Sequence, residues 1–332
     1  MSVATGVGSM PGDDTAAFDR AVKVVLDELP DLPHVPEVPG RGAAATMTGR
    51  ALAVVAELGA DLQPAGWRLT GSSGPVGVDH RRARSLLAQD LDAVEEQSQG
   101  WSGPFKLQVA GPWTLAATIE RPRGDRVLAD RGARHELAEA LAEGLHGHLA
   151  DVQRRIPGAA LVVQVDEPVL PAVLAGRVPT ASGFSRHRSV DAAAASAALQ
   201  IVLAAVSGAG ATPVVHCCAA DAPVALLAGA GAAGVSVDLD VLPAASYDDL
   251  AELFEQRRPV HLGVVPSTAP STDPTVSGVT ERVLRFLDRL GLDPDTAPSL
   301  VLTPSCGLAG ADDRWARSAL RLAQQAAGNL AS

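Results

Sequence analysis

Residues 160–170 read ALVVQVDEPVL, an apolar and mostly β-branched run that stops abruptly at two acids and a proline. A short run of this kind fits a strand buried on both faces, as strands of parallel sheets are. The residues before it, RHELAEALAEGLHGHLADVQRRI (134–156), carry the pattern of a helix. A helix, a buried strand and acids at the strand's carboxyl end form the unit of a parallel α/β fold.

The same unit recurs in both directions. Apolar runs bounded by turn residues occur at TGVGS (5–9), PHVPE (33–37), KLQVA (106–110), TPVVHC (212–217), GVSVD (234–238), VHLGVV (260–265) and SLVLTP (299–304). With 160–166 they make eight candidate strands. Helical patterns lie between them, DDTAAFDRAVKVVLDEL (13–29) and DDRWARSALRLAQQAA (312–327) among them. Alternating strands and helices call for crossover connections, and eight units predict one closed (β/α)8 TIM barrel rather than an open sheet. The gap at 38–105 is the longest. It predicts an extended insertion after the second strand, with extra helix and a loop or hairpin in GWRLTGSSGPVG (66–77). We find no internal repeat, linker or second core, so residues 1–332 read as a single barrel domain, within the usual size range of that fold.

Composition narrows the partners. At 47% hydrophobic and 20% charged, the chain has ample material for a core. It carries 27 Lys and Arg against 38 Asp and Glu, a net charge of −11, which disfavours nucleic acid and anionic membrane as partners. Residues 192–215 carry no charge, but they are mostly alanine, include Gln200 and two serines, and are broken by GAGATP. They predict a buried helix running into a strand rather than a membrane span. The N-terminal MSVATGVGSMPGDD has no basic region followed by an apolar core, hence no secretory signal. Cys217, Cys218 and Cys306 make a poor disulfide framework. The chain therefore reads as cytoplasmic, with reduced thiols available as ligands.

Ser9, Glu37, Asp166, Glu167, His216, Cys218, Asp238 and Cys306 all fall at or just past the carboxyl end of a candidate strand. In a barrel, that face carries the chemistry. In VVHCCAAD (214–221), His216 and Cys218 are two residues apart and point the same way, while Cys217 points oppositely. LTPSCGLAG (302–310) brings Cys306 to the same rim. One imidazole and two thiolates suit Zn²⁺. Asp238 is the candidate fourth ligand and Asp240 a weaker one. Simple packing of a small buried thiol is the competing reading, and it is the one adopted for Cys217.

In these residues the chain resembles the catalytic C-terminal barrel of cobalamin-independent methionine synthase and the family's short single-barrel forms. TGVGSMPG (5–12) is similar to the family's opening Gly-Ser strand end, and KLQVAGPWTLA (106–116) to its Gly-Pro segment. VVQVDEPVL (162–170) is similar to its Asp-Glu-Pro motif, VVHCC (214–218) to its His-x-Cys pair and TPSCGL (303–308) to its Cys-Gly-Leu motif. The resemblance implies zinc held by His216, Cys218, Cys306 and Asp238, where the family has a glutamate. It implies homocysteine as methyl acceptor, with Asp166 on its ammonium, Glu37 assisting and Ser9 on its carboxylate. The implied product is methionine, and the donor 5-methyltetrahydrofolate or a methylcorrinoid protein. Trp113 either offers a face to a pterin or belongs to the core.

Each assignment has a plainer alternative. Asp166 or Glu167, just before Pro168, could cap a helix, and Ser9 could form a turn with Gly8. His146 and His148 lie two apart in a helix, face different directions and read as surface. Two other functions compete. One is a uroporphyrinogen-decarboxylase-like enzyme or a zinc methyltransferase acting on another thiol. The other is a non-catalytic zinc or amino-acid binding protein, which a closed four-ligand site would favour.

Overall fold

The computed structural model describes residues 2–71, 77–293 and 300–330. The chain runs through β1 (Val3–Ala4), α1 (Thr15–Glu28), α2 (Met47–Val54), β2 (Gly59–Gln63), β3 (Gly66–Gly71), α3 (Val78–Gln97) and β4 (Ser102–Ala110). Next come α4 (Pro112–Thr118), α5 (Arg131–Arg155), β5 (Gly158–Asp166), α6 (Leu170–Leu174), α7 (Ala192–Gly208) and β6 (Thr212–Cys217). The last part holds α8 (Val224–Gly229), β7 (Gly234–Asp238), α9 (Tyr247–Glu255), β8 (Val260–Val265), α10 (Val276–Arg289), β9 (Leu300–Pro304) and α11 (Asp313–Leu330).

Among the described residues seven strands pair in the order β1-β9-β8-β7-β6-β5-β4. Every pair is parallel. The sheet curls into a TIM-barrel-like fold flanked by helices. The expected second strand, 33–37, does not form a ladder. It joins the two ends of the sheet through isolated parallel bridges, Ser9 with Glu37 and His34 with Lys106. Glu37 N–H donates to Gly8 O at 3.1 Å, Met10 N–H to Glu37 O at 2.7 Å and Val35 N–H to Lys106 O at 2.8 Å. Pro33 and Pro36 have no N–H, so a regular ladder lacks its donors there. The first expected strand, 5–9, likewise forms no ladder: the strand pairing comes just before it, at Val3–Ala4, and Ser9 takes part through its bridge to Glu37. Gly6 lets the His34 ring lie against the backbone, since a Cβ there would sit 2.2 Å from it.

The long insertion holds α2, the antiparallel β2–β3 hairpin and α3. The SSGPV part of the expected loop (72–76) and Ser299 of the last expected strand lie outside the described residues. Helix starts are set by short polar side chains. Asp14, Thr46, Asp130, Asp191 and Thr275 each accept a first-turn backbone N–H of α1, α2, α5, α7 and α10, a contact whose loss costs about 1 kcal/mol. The uncharged 192–215 segment is α7 running into β6. Among the described residues no helix is long and apolar enough to cross a membrane. His146 is exposed as expected, but His148 is half-buried and lines a small cavity beside Arg50. Two residues along a helix is a turn of about 200°, enough to place one ring in solvent and the other inside.

Candidate metal and substrate site

Strand pleating sets what faces the barrel axis. In β4 and β5, Phe105, Leu107, Val109, Leu161, Val163 and Val165 belong to the apolar core. The residues between them turn the other way. Lys106, Gln108, Gln164 and Asp166 are buried and linked into one polar network. The Lys106 ammonium donates to Val7 O at 3.0 Å, Gln164 Oε1 at 3.0 Å and Gln108 Oε1 at 3.4 Å. Burial pushes its pKa down to about 8, against the pull of Asp166 and Glu37. Burial first, then the Lys106 charge, hold His34 and His261 below the usual imidazole range. Sequence reading passed over Lys106 and Gln108. The available signal was KLQVA itself, polar at alternate positions of an otherwise apolar run.

One strand further round, Asp166 pairs with His216 and His216 with Ser236 in the strand register. His216 Nδ1 lies 2.8 Å from Ser236 Oγ, while its Nε2 is buried with no hydrogen-bond partner. Cys218 Sγ and Cys306 Sγ are 3.0 Å apart. One ligand atom from each of His216, Cys218 and Cys306 falls within 4.8 Å of the others. The contact with Cys218 holds the Cys306 thiol down at about 4, and the same contact together with burial pushes Cys218 up. Cys217 points away into the core, where burial pushes its thiol up to about 12. An orphaned imidazole nitrogen beside two thiols, one readily ionised, fits zinc's preference for tetrahedral N and S ligands. Ser236 holds the other ring nitrogen, as second partners of metal-bound histidines do.

Asp238 is not in this group. Its Oδ1 accepts the Asp240 N–H at 2.9 Å, a local turn that competes for the carboxylate. Asp240 in turn pairs with Arg282. Changing Asp238 to Asn should therefore leave the metal content of the purified protein unchanged, since an amide oxygen accepts the same turn bond. Loss of metal in that variant would return Asp238 to the ligand set.

The three candidate ligands share a cavity of about 320 Å³ with Ser9, Glu37 and Asp166. Asp166 accepts from Gln164 Nε2 at 2.7 Å. Burial pushes its pKa up to about 7, with the nearby His216 charge opposing. Glu37 Oε1 lies 3.3 Å from Arg50 Nε in α2. Arg50 also pairs with Asp90 of α3, which Arg41 grips in bidentate fashion at 2.7 Å. The insertion thus supplies the clamp behind a cavity carboxylate. Removing Asp90 would leave two guanidiniums buried without their partner, and Asp90→Ala should cost about 3–5 kcal/mol in a denaturant unfolding experiment. A loss under about 1 kcal/mol would fit only a solvent-screened pair. At the cavity rim a Cβ on Gly307 would meet Ser9 Oγ at 2.0 Å, and Leu308 N–H donates to Ser9 O at 2.8 Å. Glycine beside Cys306 is what lets the first and last strand ends meet.

Glu167 does act as a cap, though for a distant helix. Its carboxylate accepts Trp113 N–H at 2.9 Å, Thr114 N–H at 2.7 Å and Thr114 Oγ1 at 2.7 Å, at the start of α4. Any side chain on Gly111 would strike it, at 2.4 Å from Oε1. The Gly-Pro and Asp-Glu-Pro segments are two halves of one contact. Trp113 itself is 2% exposed, donates its indole N–H to Ala195 O at 2.9 Å and is not among the cavity residues. The expectation that it meets a ligand is corrected accordingly, since an indole N–H bonded in the core holds the ring there.

Fold and site together define a barrel with a His/Cys/Cys cluster, able to hold a metal, at the carboxyl ends of its strands. The chain belongs to the cobalamin-independent synthase family, whose catalytic-domain model matches residues 106–329. A search of curated proteins returned no match. Among solved structures it is similar to the B12-independent methionine synthase from Shewanella sp. W3-18-1 in complex with selenomethionine. That likeness has a TM-score of 0.65 at 14% identity and covers 99% of this chain and 97% of the other. It is also similar in fold to GH5_18 from Streptomyces cattleya in complex with GlcNAc, with a TM-score of 0.50 at 15% identity, covering 100% of this chain and 81% of the other.

Proposed function

We propose that the chain is a zinc-dependent methyltransferase that transfers a methyl group to the thiol of homocysteine, forming methionine. The observation that carries this reading is the convergence of His216, Cys218 and Cys306 on the cavity that also holds Asp166 and Glu37. His216, Cys218 and Cys306 would hold the ion, leaving one position for an exchangeable ligand, as in catalytic rather than structural zinc sites. Bound there, zinc would supply a Lewis acid that favours the thiolate form of a coordinated thiol over a free thiol of pKa near 8.5.

The chain's own residues would do the rest. Asp166 would take the substrate ammonium, Glu37, steadied by Arg50, would assist, and Ser9 would meet the carboxylate. Held at three points, the substrate sulfur is fixed toward the cysteines, and such positioning can remove several kcal/mol of barrier. The methyl donor would be a methylated folate or a methylcorrinoid protein. The whole chain would act as one barrel domain, and its free cysteines suit a reducing, cytoplasmic setting. The test incubates zinc-loaded protein with homocysteine and each donor in turn and assays methionine. Methionine formed with either donor supports the reading. Methyl transfer only to thiols without an amino group would replace homocysteine with another acceptor.

A further inference from the structure

We propose that Lys106 is a positioning residue for the amino-acid substrate, locking Gln164 so that Gln164 holds Asp166 toward the substrate's ammonium. The inference rests on the reading of that substrate as homocysteine.

Lys106 is fully buried and bonded to Val7 and Gln108, which line the cavity, and burying a cation is costly unless each of its protons finds an acceptor. An ammonium has three N–H donors and no acceptor. Here the acceptors number three as well, Val7 O, Gln108 Oε1 and Gln164 Oε1. A group that can only donate dictates the orientation of both amides. Gln164 must turn its oxygen to Lys106, which leaves its NH₂ to donate to Asp166 Oδ1 at 2.7 Å and Val7 O at 2.8 Å. Gln108 is set the same way and donates to Val35 O at 2.8 Å.

Val7 O accepts from both Lys106 and Gln164, so the segment leading to Ser9 is tied to the same network. The three hydrogen bonds of Lys106 go to Val7, Gln108 and Gln164, so its hydrogen-bonded link to Asp166 runs through Gln164, alongside the direct attraction of the two charges. Without the ammonium, Gln164 Oε1 loses its donor, and the amide that holds Asp166 is fixed only by the bonds of its NH₂ to Asp166 and Val7 O. The relay thus orients one carboxylate oxygen and leaves the other for a ligand.

The experiment measures equilibrium binding to zinc-loaded protein by calorimetry, with homocysteine and with 4-mercaptobutanoate, which is homocysteine without its amino group. Lys106→Met keeps the length and removes the charge. It should weaken homocysteine binding about tenfold, as loss of a charge-assisted contact does. Binding of 4-mercaptobutanoate and zinc content should hold. Equal weakening of both ligands, or of neither, overturns the relay.

Gln164→Glu gives an independent arm should Lys106→Met not fold. It strengthens the partner of Lys106 but places a carboxylate against Asp166, and the same ammonium-selective loss is expected. Unchanged homocysteine binding in Gln164→Glu overturns the proposal. If the wild-type protein binds 4-mercaptobutanoate but not homocysteine, the homocysteine reading itself fails and the relay falls with it. If the wild type binds homocysteine and the variants match it, only the relay fails.

Discussion

Cys306→Ser should strip the protein of most of its zinc while leaving a folded barrel. Cys306 joins the last strand end to His216 and Cys218 at the end of β6, its thiol 3.0 Å from that of Cys218. A serine hydroxyl neither ionises near neutrality nor offers a soft donor, so the site keeps one imidazole and one thiolate. Loss of an outer partner of a metal ligand costs about 10–100-fold in affinity, and loss of a ligand should cost more. Metal analysis of protein purified without chelator should find close to one zinc per chain in the wild type and a small fraction of that in Cys306→Ser. Methionine formation should fall with it. The thiol is only partly buried and Gly307 keeps its approach to Ser9, so far-ultraviolet circular dichroism should remain native. Full zinc retention in the variant would sink the metal assignment.

Asp166→Asn should weaken homocysteine binding about tenfold or more, the loss expected for a charged hydrogen bond. Asparagine keeps the size and can still accept from Gln164, so the local geometry survives and the charge alone is removed. Zinc content should not change, because Asp166 is not among the grouped ligands. The deficit should vanish for 4-mercaptobutanoate, which has no ammonium to lose. Normal homocysteine affinity in this variant would move the amino group elsewhere in the cavity, with Glu37 the next candidate to test.

Much of the barrel was legible because it rests on local signals. Buried parallel strands are short apolar runs bounded by turn residues, and several of the helices between them start at an Asp or Thr cap. The second strand was harder. Its apolar residues read as a strand, yet Pro33 and Pro36 deny it a ladder and it closes the ring by isolated bridges. Trp113 was ambiguous since an aromatic beside Gly-Pro suits both a core and a ligand face, and the Ala195 carbonyl decides for the core. Asp238 read as the fourth ligand from its place at a strand end, and here one of its carboxylate oxygens accepts the Asp240 N–H and it does not group with the other three. Glu167 read as a cap for the helix just after it and proved to cap α4, which lies more than fifty residues earlier.

The sequence by itself determined the alternation of strand and helix, the end of the barrel that carries chemistry, and the pairing of His216 with Cys218. Those follow from pleat parity and from the rule that loops after parallel strands share one face. Strand order also brought Cys306 to that rim; only the tertiary structure decided how closely it meets the pair, that Arg50 and Asp90 of the insertion steady Glu37, and that a buried lysine bonds the oxygens of two glutamines. Apart from the Lys106–Gln108 bond within β4, those contacts join residues from different strands, helices or loops. Their distance depends on barrel closure and on the exact meeting of side chains, which no local pattern encodes.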